Sequence, residues 1–263
     1  MEIFIETGFF NPELTLTGGQ AFRWVKKQEN LYFGIAGNRA ITAEITNNGI
    51  KLIGAENKDL PFWQNYFDIK TDYDEIIRCF SQDEILRKAC KYARGLRHLR
   101  QEPFETLISF IISQNNNITR IRGIIERLCA LFGEKINDNC FAFPTAKTLA
   151  GLSEADLAPL KAGYRARYII HAAKTVEKGE VDLNSLYDMQ TDAARRELLK
   201  ITGVGEKVAD CILLFAYSKG VFPKDVWIKR AMSEFYPNGL PPCTAGFEGI
   251  ANQYLFEYIR NNR

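Results

Sequence analysis

The lysine at position 207 lies where a side-chain amine could act as a nucleophile. It follows Gly203 and Gly205, two residues apart, in the stretch ITGVGEKVADC (201–211). We predict a helix up to this turn and a second helix from Glu206. Glycines in the turn let backbone N–H groups approach a phosphate, and the N-terminal dipole of the second helix points the same way. The pattern predicts a hairpin that holds DNA without reading its sequence, although a plain helix connection fits it as well.

An aspartate further along the chain could complete the chemistry. Asp225 lies in VFPKDVWIKRAM (221–232), after a predicted helix over residues 206–217 that spans roughly 17 Å. Pro223 lets the chain turn back, so that Asp225 can cap the next helix and face the lysine. The positive end of a helix favours the neutral, nucleophilic form of an amine. The same spacing also fits a salt bridge combined with an N-terminal cap.

Basic residues are concentrated in the second part of the chain. The net charge is +2, with 10 basic and 13 acidic residues over 1–90 and 24 basic and 19 acidic residues over 91–263. The excess lies in YARGLRHLR (92–100), NNNITRIRG (115–123) and KAGYRARYIIHAAK (161–174). Basic clusters with interleaved tyrosines suit a nucleic acid. Each cluster alone also fits an ordinary solvated helix face.

The composition, 46% hydrophobic and 25% charged, is typical of a globular protein. No apolar run approaches the roughly 20 residues that span a bilayer, and the first residues do not resemble a signal peptide. We therefore expect a soluble, intracellular protein, in the cytoplasm or nucleoid of a prokaryote or the nucleus of a eukaryote. The six cysteines form no CxxC pair, so neither a zinc site nor an iron–sulfur cluster is supported, and we expect mostly buried, reduced thiols.

The chain changes character near residue 70. The stretch 31–55 has short runs rich in Ile, Thr and aromatic residues, separated by hairpin signals at Gly37-Asn38 and Asn47-Asn48-Gly49, which predicts an antiparallel sheet. After it, apolar residues recur at helical spacing, and Ser153 with Asp156 predicts the capped start of a helix. We predict an α+β fold, with an antiparallel β-sheet domain over residues 1–85 packed on a larger all-helical domain over 86–263.

Together with PKDV, the stretch ITGVGEKVADC resembles the helix-hairpin-helix DNA glycosylases that carry a catalytic lysine, and within them the 8-oxoguanine DNA glycosylase/AP lyases. Three further stretches match that family: GGQAFRW (18–24), SQNNNITR (113–120) and GYRARY (163–168). The resemblance runs in order from about residue 14 to 256. It implies that the helical domain contains the helix-hairpin-helix motif and could comprise two subdomains, with its C-terminal helices closing the base pocket.

The resemblance implies a bifunctional base-excision-repair enzyme. Such an enzyme flips 8-oxoguanine, paired with cytosine, out of duplex DNA. Lys207 would attack the sugar C1′ as the base leaves, and Asp225 would stabilise the developing sugar cation and help orient or deprotonate the lysine. Because the nucleophile is an amine, the product is a Schiff base, and strand cleavage by β-elimination follows.

The resemblance also assigns contacts with the DNA. Asn115 would fill the space left by the flipped base, and Tyr164 would wedge beside the orphaned base. Arg120 and Arg165 would donate hydrogen bonds to O2 and N3 of the cytosine, which predicts a preference for cytosine opposite the lesion. Without the resemblance, Asn115 fits a loop or helix cap equally well. The hairpin residues assigned to DNA binding are Gly203, Val204 and Gly205.

Five residues are assigned to the 8-oxoguanine pocket. The carbonyl of Gly19 would detect the extra N7 hydrogen, Phe256 would stack on the base, and Cys211 lies one helical turn after the lysine on the same face. The glutamine that meets the Watson–Crick edge in the family falls on Asn252, with Gln253 as its neighbour. The sequence departs from the family pattern at this position, at Trp227 in place of a histidine, and at Thr202 in place of the hairpin proline.

Other classes predict different residues. Monofunctional alkyl-base glycosylases of the same fold activate water with the aspartate and lack a lysine at this point. Relatives with an iron–sulfur cluster need four closely spaced C-terminal cysteines, and a non-catalytic DNA-binding module needs neither Lys207 nor Asp225. We expect a monomer that binds lesion-containing double-stranded DNA and no membrane. We also expect no required cofactor and no catalytic metal, with the hairpin carbonyls as a place where a monovalent cation could bind.

Overall fold

The computed structural model, which describes residues 1–262, begins with a five-stranded antiparallel sheet of order β1-β5-β4-β3-β2. Its strands are β1 (Glu2–Glu6), β2 (Trp24–Gln28), β3 (Leu31–Ala36), β4 (Arg39–Thr46) and β5 (Gly49–Ile53). Both predicted hairpin turns are confirmed, because Ala36 pairs with Arg39 and Thr46 pairs with Gly49. The sequence pattern predicted the three central strands but missed β1 and β2.

The short helix α1 (Pro12–Thr17) lies between β1 and β2, and aromatic side chains join the sheet to the next helix, α2 (Leu60–Tyr66). Trp24 of β2 is fully buried among the rings of α2, and its indole N–H donates a hydrogen bond of 2.8 Å to the hydroxyl of Tyr66. Burying both the rings and their polar atoms in this way fixes the sheet against the helices behind it.

The rest of the chain is mostly helical, as predicted. Its remaining elements are α3 (Tyr73–Phe80), α4 (Glu84–Tyr92), α5 (Pro103–Ser113), α6 (Ile118–Phe132), β6 (Lys135–Asn137), β7 (Cys140–Phe141), α7 (Ala146–Ala150), α8 (Arg165–Glu177), α9 (Thr191–Leu199), α10 (Glu206–Tyr217), α11 (Val226–Phe235) and α12 (Glu248–Asn261). One apolar core is built around α5, α6, α8 and α10. A second is built from α3, α4, α11 and α12.

The second helical core includes the two helices that follow the sheet domain, α3 and α4. The helix α4 packs against α12, so the chain leaves the sheet, contributes two helices to the second core and then enters α5. The predicted division between residues 85 and 86 falls inside α4, and this division stays a prediction.

One predicted helix does not form. Ser153 and Asp156 make the expected reciprocal hydrogen bonds, with the Ser153 N–H donating to the Asp156 carboxylate at 2.8 Å. They lead into turns and a 3-10 segment over Ala158–Leu160. Pro159 follows within one turn and lacks the N–H that the next turn of an α-helix needs. The capping hydrogen bonds predicted from the sequence are therefore present, but the helix that they were expected to begin is not.

Over residues 1–262, no helix is both long and apolar enough to cross a membrane. In the same range, no cluster of three or more His, Cys, Asp or Glu side chains is placed to hold a metal ion. The six cysteines are free thiols, four of them buried.

Candidate active site

The predicted turn before Lys207 is present between α9 and α10, and α10 begins at Glu206 as expected. Gly203 has φ +92°, which L side chains rarely adopt, and an added Cβ would lie 2.5 Å from the ring of Tyr168. Gly205 caps α10 without a side chain, with φ −96° and ψ 176°. The turn therefore requires glycine at 203 for two separate reasons, whereas at 205 the space is open.

Lys207 lies in the first turn of α10 with an exposed side chain. Its Nζ is 5.6 Å from the centre of the Phe110 ring, in a cation–π contact. Asp225 is half-buried and caps α11, accepting a hydrogen bond of 2.7 Å from the Ile228 N–H. The predicted helix cap at Asp225 is therefore present. Within residues 1–262 neither Lys207 nor Asp225 forms a salt bridge, so both charged groups face the cavity without a counter-ion.

A cavity of about 90 Å³ brings the predicted pocket residues together. Every residue assigned to catalysis or to the base pocket lines it: Gly19, Lys207, Cys211, Asp225, Asn252, Gln253 and Phe256. The remaining lining residues were not predicted: Gly18, Gln20, Phe110, Phe215, Pro223 and Ile228. We call Lys207, Cys211 and Asp225 the lysine wall, and Gly18, Gly19, Gln20 and Phe256 the glycine wall.

The thiol of Cys211 lies beneath the lysine. Burial raises its pKa to about 11, while the nearby Lys207 ammonium acts in the opposite direction. The thiol is therefore neutral near pH 7 and does not compete with the amine as a nucleophile. A neutral, polarisable sulfur suits contact with a flat heteroaromatic ring.

The glycine wall is fixed by a buried amide that the sequence analysis did not single out. The amide nitrogen of Gln20 donates to the carbonyls of Thr15 at 3.0 Å and Arg97 at 2.8 Å. Its amide oxygen accepts from the Leu99 N–H at 2.8 Å. Gly19 then turns with φ +116° into the cavity lining. No motif reveals this role for Gln20, because its partners are up to 79 residues away.

The two amides of α12 are not equivalent. Asn252 is buried, and its amide nitrogen donates to the Pro223 carbonyl at 2.9 Å. Its amide oxygen accepts from the side-chain nitrogen of Gln253 at 3.2 Å. Both polar atoms of Asn252 are thus engaged, whereas Gln253 is only partly buried and retains its amide oxygen.

Three of the predicted DNA contacts lie together on an exposed surface. Asn115 adopts a left-handed conformation with φ +46°, and its amide nitrogen lies 3.5 Å from the hydroxyl of Tyr164. Tyr164 is 46% exposed, and its ring makes an edge contact with the ring of Tyr168. Arg120 is exposed, and its guanidinium donates to the Lys161 carbonyl at 3.3 Å.

Arg165 differs from these three residues. It is buried, with 3% exposure, and its guanidinium donates to the carbonyls of Gln114, Asn115 and Ala162. In this structure it therefore holds the Asn115 loop and is not presented to solvent. The amide of Gln114 also donates to the Gly203 carbonyl at 2.9 Å, which joins this loop to the hairpin.

The positions that depart from the family pattern have local explanations. Thr202 lies where the family has proline, and its hydroxyl is 3.2 Å from His171 Nε2. Trp227 is half-buried, and the Arg230 guanidinium lies 5.4 Å from its ring centre. Both side chains are held by neighbours on this surface.

Two family models match the chain. The N-terminal domain of 8-oxoguanine DNA glycosylase matches residues 2–107, and the HhH-GPD superfamily of base excision DNA repair proteins matches residues 108–240. A probable N-glycosylase/DNA lyase of Methanothermobacter thermautotrophicus is 35% identical over 195 residues, which cover 65% of this chain and 62% of that protein. The matched region thus spans less than two thirds of that relative's length.

Solved structures extend the similarity over nearly the whole chain. MBOgg1 in complex with a low affinity DNA ligand has a TM-score of 0.92 and 34% identity, covering 99% of this chain and 96% of that one. The 8-oxoguanine glycosylase/lyase of Clostridium acetobutylicum, bound to double-stranded DNA with cytosine opposite 8-oxoguanine, has a TM-score of 0.88 and 31% identity, covering 99% and 98%. The predicted α+β fold, with a sheet domain followed by a helix-hairpin-helix domain, is confirmed. This chain belongs to the 8-oxoguanine DNA glycosylase family, within the HhH-GPD superfamily of base excision DNA repair proteins.

Proposed function

We propose that this protein excises 8-oxoguanine opposite cytosine from duplex DNA and then nicks the strand through a Schiff base on Lys207. The observation that carries the proposal is the shared cavity, because Lys207 and Asp225 line the same space as Gly19 and Phe256. A nucleophile, a carboxylate and a base-binding surface within one cavity suit attack on the sugar of an extruded nucleotide. The activities in the names of the two similar proteins, N-glycosylase/DNA lyase and 8-oxoguanine glycosylase/lyase, support the same assignment.

The first step transfers the sugar from the base to the lysine. The neutral amine of Lys207 attacks C1′, the bond from C1′ to the base nitrogen breaks with its electron pair on the base, and the base takes up a proton. Asp225 stabilises the positive charge that develops on the sugar. Its carboxylate is available for this purpose because it forms no salt bridge among residues 1–262 and the cap engages only one of its oxygens.

The second step breaks the strand. After the adduct loses one proton, the nitrogen lone pair expels the ring oxygen O4′, which takes up a proton, and leaves a protonated imine between Lys207 and C1′ that acidifies the neighbouring carbon. Removal of a proton from that carbon expels the 3′ phosphate by β-elimination. Neither step needs an oxidant or a metal, so we propose that no cofactor is required, with a monovalent cation at the hairpin carbonyls as a structural addition.

The exposed surface that contains Asn115 and Tyr164 would receive the distorted duplex. Asn115 would enter the space that the flipped base leaves, and Tyr164 would wedge beside the orphaned cytosine. Arg120 can donate directly to the cytosine from its exposed position. Arg165 contributes by holding the Asn115 loop, unless DNA binding releases its guanidinium from the loop carbonyls.

The Watson–Crick edge of the lesion would be read by Gln253. Asn252 occupies the position of the family's glutamine, but both of its polar atoms are already bonded within the protein. Gln253 lines the cavity and has an unused amide oxygen, which can accept hydrogen bonds from the N1–H and the exocyclic amine of the base. Asn252 orients that amide through its own oxygen.

We further propose that the protein acts as a monomer inside the cell, where its DNA substrate lies. The site supports this because its lining residues all come from one chain. A second subunit is not needed to complete either wall of the cavity.

Borohydride trapping tests the proposal directly. Wild type and Lys207→Gln are incubated with a duplex carrying 8-oxoguanine opposite cytosine, and guanine opposite cytosine serves as the control duplex. We expect a covalent adduct only with wild type and the lesion, together with a loss of excision of about a thousand-fold or more in the variant. Excision by wild type without an adduct would indicate a water nucleophile and a monofunctional enzyme. DNA binding with no excision would indicate a non-catalytic module.

A further inference from the structure

The guanidinium of Arg260 contacts two members of the glycine wall, Gly18 and Phe256. From the last turn of α12, its Nη1 donates to the Gly18 carbonyl at 3.0 Å. The same guanidinium lies 4.8 Å from the ring centre of Phe256. One side chain therefore contacts both the loop that precedes Gly19 and the aromatic ring of Phe256, which lines the same cavity.

A buried carboxylate fixes the orientation of this guanidinium. Glu257 is 2% exposed and accepts from Arg260 Nη2 at 2.8 Å, with the Asn261 amide as a second donor at 3.2 Å. Burial raises the pKa of Glu257, and the charge of Arg260 acts against that rise. A planar guanidinium that is paired on one edge presents its other edge in a fixed direction.

The loop before Gly19 is shaped to receive these contacts. An added Cβ on Gly18 would lie 3.0 Å from the Glu257 carboxylate and 2.3 Å from the Leu14 carbonyl, although the backbone there is ordinary right-handed helix. Space alone therefore demands glycine at 18. The preceding carbonyl, that of Thr17, accepts from Arg122 at 3.1 Å.

Three successive backbone carbonyls, those of residues 17 to 19, differ in whether they accept a hydrogen bond. Arginines bind the carbonyls of residues 17 and 18, whereas none of the residues 1–262 donates a hydrogen bond to the carbonyl of Gly19. An unpaired carbonyl beside a cavity remains available for a ligand donor. Its position is set by its neighbours, because they are anchored on α6 and α12.

We infer that Arg260 is a positioning residue for lesion recognition, which sets the Gly19 carbonyl and the Phe256 ring at a fixed spacing matched to an oxidised purine. This inference rests on the proposed function, since it concerns the base that the same cavity would bind. Arg260 need not touch the base. It would act by limiting the motion of the Gly19 carbonyl and the Phe256 ring, which do contact the base. A base without an N7 hydrogen then has a less favourable binding free energy in the cavity.

The test measures binding, in a Lys207→Gln parent that cannot cleave. The affinity of each variant is determined for duplexes with 8-oxoguanine opposite cytosine, guanine opposite cytosine, and a tetrahydrofuran abasic analogue opposite cytosine. Removing Arg260 alone would leave a buried, unpaired carboxylate, so Arg260→Met is combined with Glu257→Gln. Glu257→Gln alone keeps the guanidinium and an amide oxygen that can accept from it, so it separates the loss of Arg260 from the loss of the carboxylate charge. Arg78→Met, at an exposed position on α3, controls for the loss of one positive charge.

We expect the double variant to lose about 10- to 100-fold of the preference for 8-oxoguanine over guanine, the range for losing a hydrogen bond from a charged donor. Binding to the abasic analogue should change less than about twofold, because that ligand presents no base to the cavity. An unchanged preference would overturn the inference, and so would an equal loss of abasic-site binding, which would indicate general damage. A parent that binds the 8-oxoguanine and guanine duplexes equally would instead count against the proposed function.

Discussion

The two walls of the cavity are built in opposite ways. Lys207 is exposed and Asp225 half-buried, and their polar contacts are few: one cation–π contact for the amine and one capping hydrogen bond for the carboxylate. The glycine wall is anchored through Gln20, whose side chain is buried and bonded to three backbone groups. The side chains proposed to react, Lys207 and Asp225, are held by few contacts, whereas the wall proposed to recognise the base is held by several hydrogen bonds. This division indicates that damage to the lysine wall should cost rate, and damage to the glycine wall should cost selectivity or stability.

The largest expected effect tests the lysine wall. Asp225→Asn should lower the single-turnover rate of base excision by about 100- to 1000-fold, because the charge that stabilises the sugar cation is lost. Asparagine still caps a helix, so the thermal unfolding temperature should stay close to that of wild type. Asp225→Ala should lose a similar rate and, in addition, about 1 kcal/mol of unfolding free energy. An Asn variant with wild-type rate would show that Asp225 acts only as a cap.

The second prediction concerns the support behind the glycine wall. His98 lies between Arg97 and Leu99, which bind Gln20, and it stacks on Phe215 with ring centres 5.3 Å apart. Its Nε2 contacts the Leu214 carbonyl, which can only accept, and its Nδ1 has no partner among residues 1–262. Burial lowers the pKa of His98 to about 4, against an opposing influence of Asp68.

Because His98 takes up its proton more readily when unfolded, protonation favours the unfolded state. Its contribution to stability is complete above about pH 6.5 and is lost as the pH falls to about 4, by about 3 kcal/mol. Urea unfolding at pH 7 and pH 5 should show about 2 kcal/mol of this loss in wild type and a smaller loss in His98→Gln. Glu105, whose pKa burial raises to about 7, acts in the opposite sense as the pH falls, so the comparison between the two proteins isolates the histidine. Identical pH profiles would contradict the assignment.

The third prediction compares two glycines of the hairpin. Gly203→Ala places a Cβ 2.5 Å from the Tyr168 ring at a positive φ and should cost about 2 kcal/mol of unfolding free energy. It should also weaken binding to undamaged duplex. Gly205→Ala has open space and an extended backbone, so its unfolding free energy should stay within about 0.5 kcal/mol of wild type. Chemical denaturation of both variants checks the difference, and equal losses would indicate that Tyr168 simply moves aside.

The smallest expected effect separates the two amides of α12. Gln253→Ala should reduce the preference for the 8-oxoguanine duplex over the abasic analogue by about tenfold without changing stability, since it removes one contact with a base edge that guanine presents as well. Asn252→Ala should lower stability as well, because the buried Pro223 carbonyl loses its donor. Competition binding and thermal unfolding of both variants provide the measurements. If Asn252→Ala alone loses the preference for the 8-oxoguanine duplex over the abasic analogue, the base edge is read at the family's usual position.

The sequence predicted the parts of this site that depend on local pattern. Gly203, Gly205, Lys207 and the cap at Asp225 lie within 23 residues, and their spacing follows from helix length and turn chemistry. The burial of Arg165 was not predicted. In sequence, a basic residue beside a tyrosine suggests an exposed side chain, and its acceptors, the carbonyls of Gln114 and Asn115, lie about 50 residues away. Gln20 and Arg260 gave no signal either, since their partners lie 77 and 242 residues away. Single side chains that join distant segments leave no periodicity to detect.

The hydrogen bond from Arg260 to Gly18 also orders events during synthesis. Its partners are separated by 242 residues, so a ribosome adding about 5 to 20 residues per second exposes residue 18 long before residue 260 exists. The strands of the sheet all lie within the first 53 residues and can pair early, whereas the glycine wall must wait for α12. The carbonyl to which the proposed function assigns lesion recognition is therefore among the last parts of the cavity to be fixed.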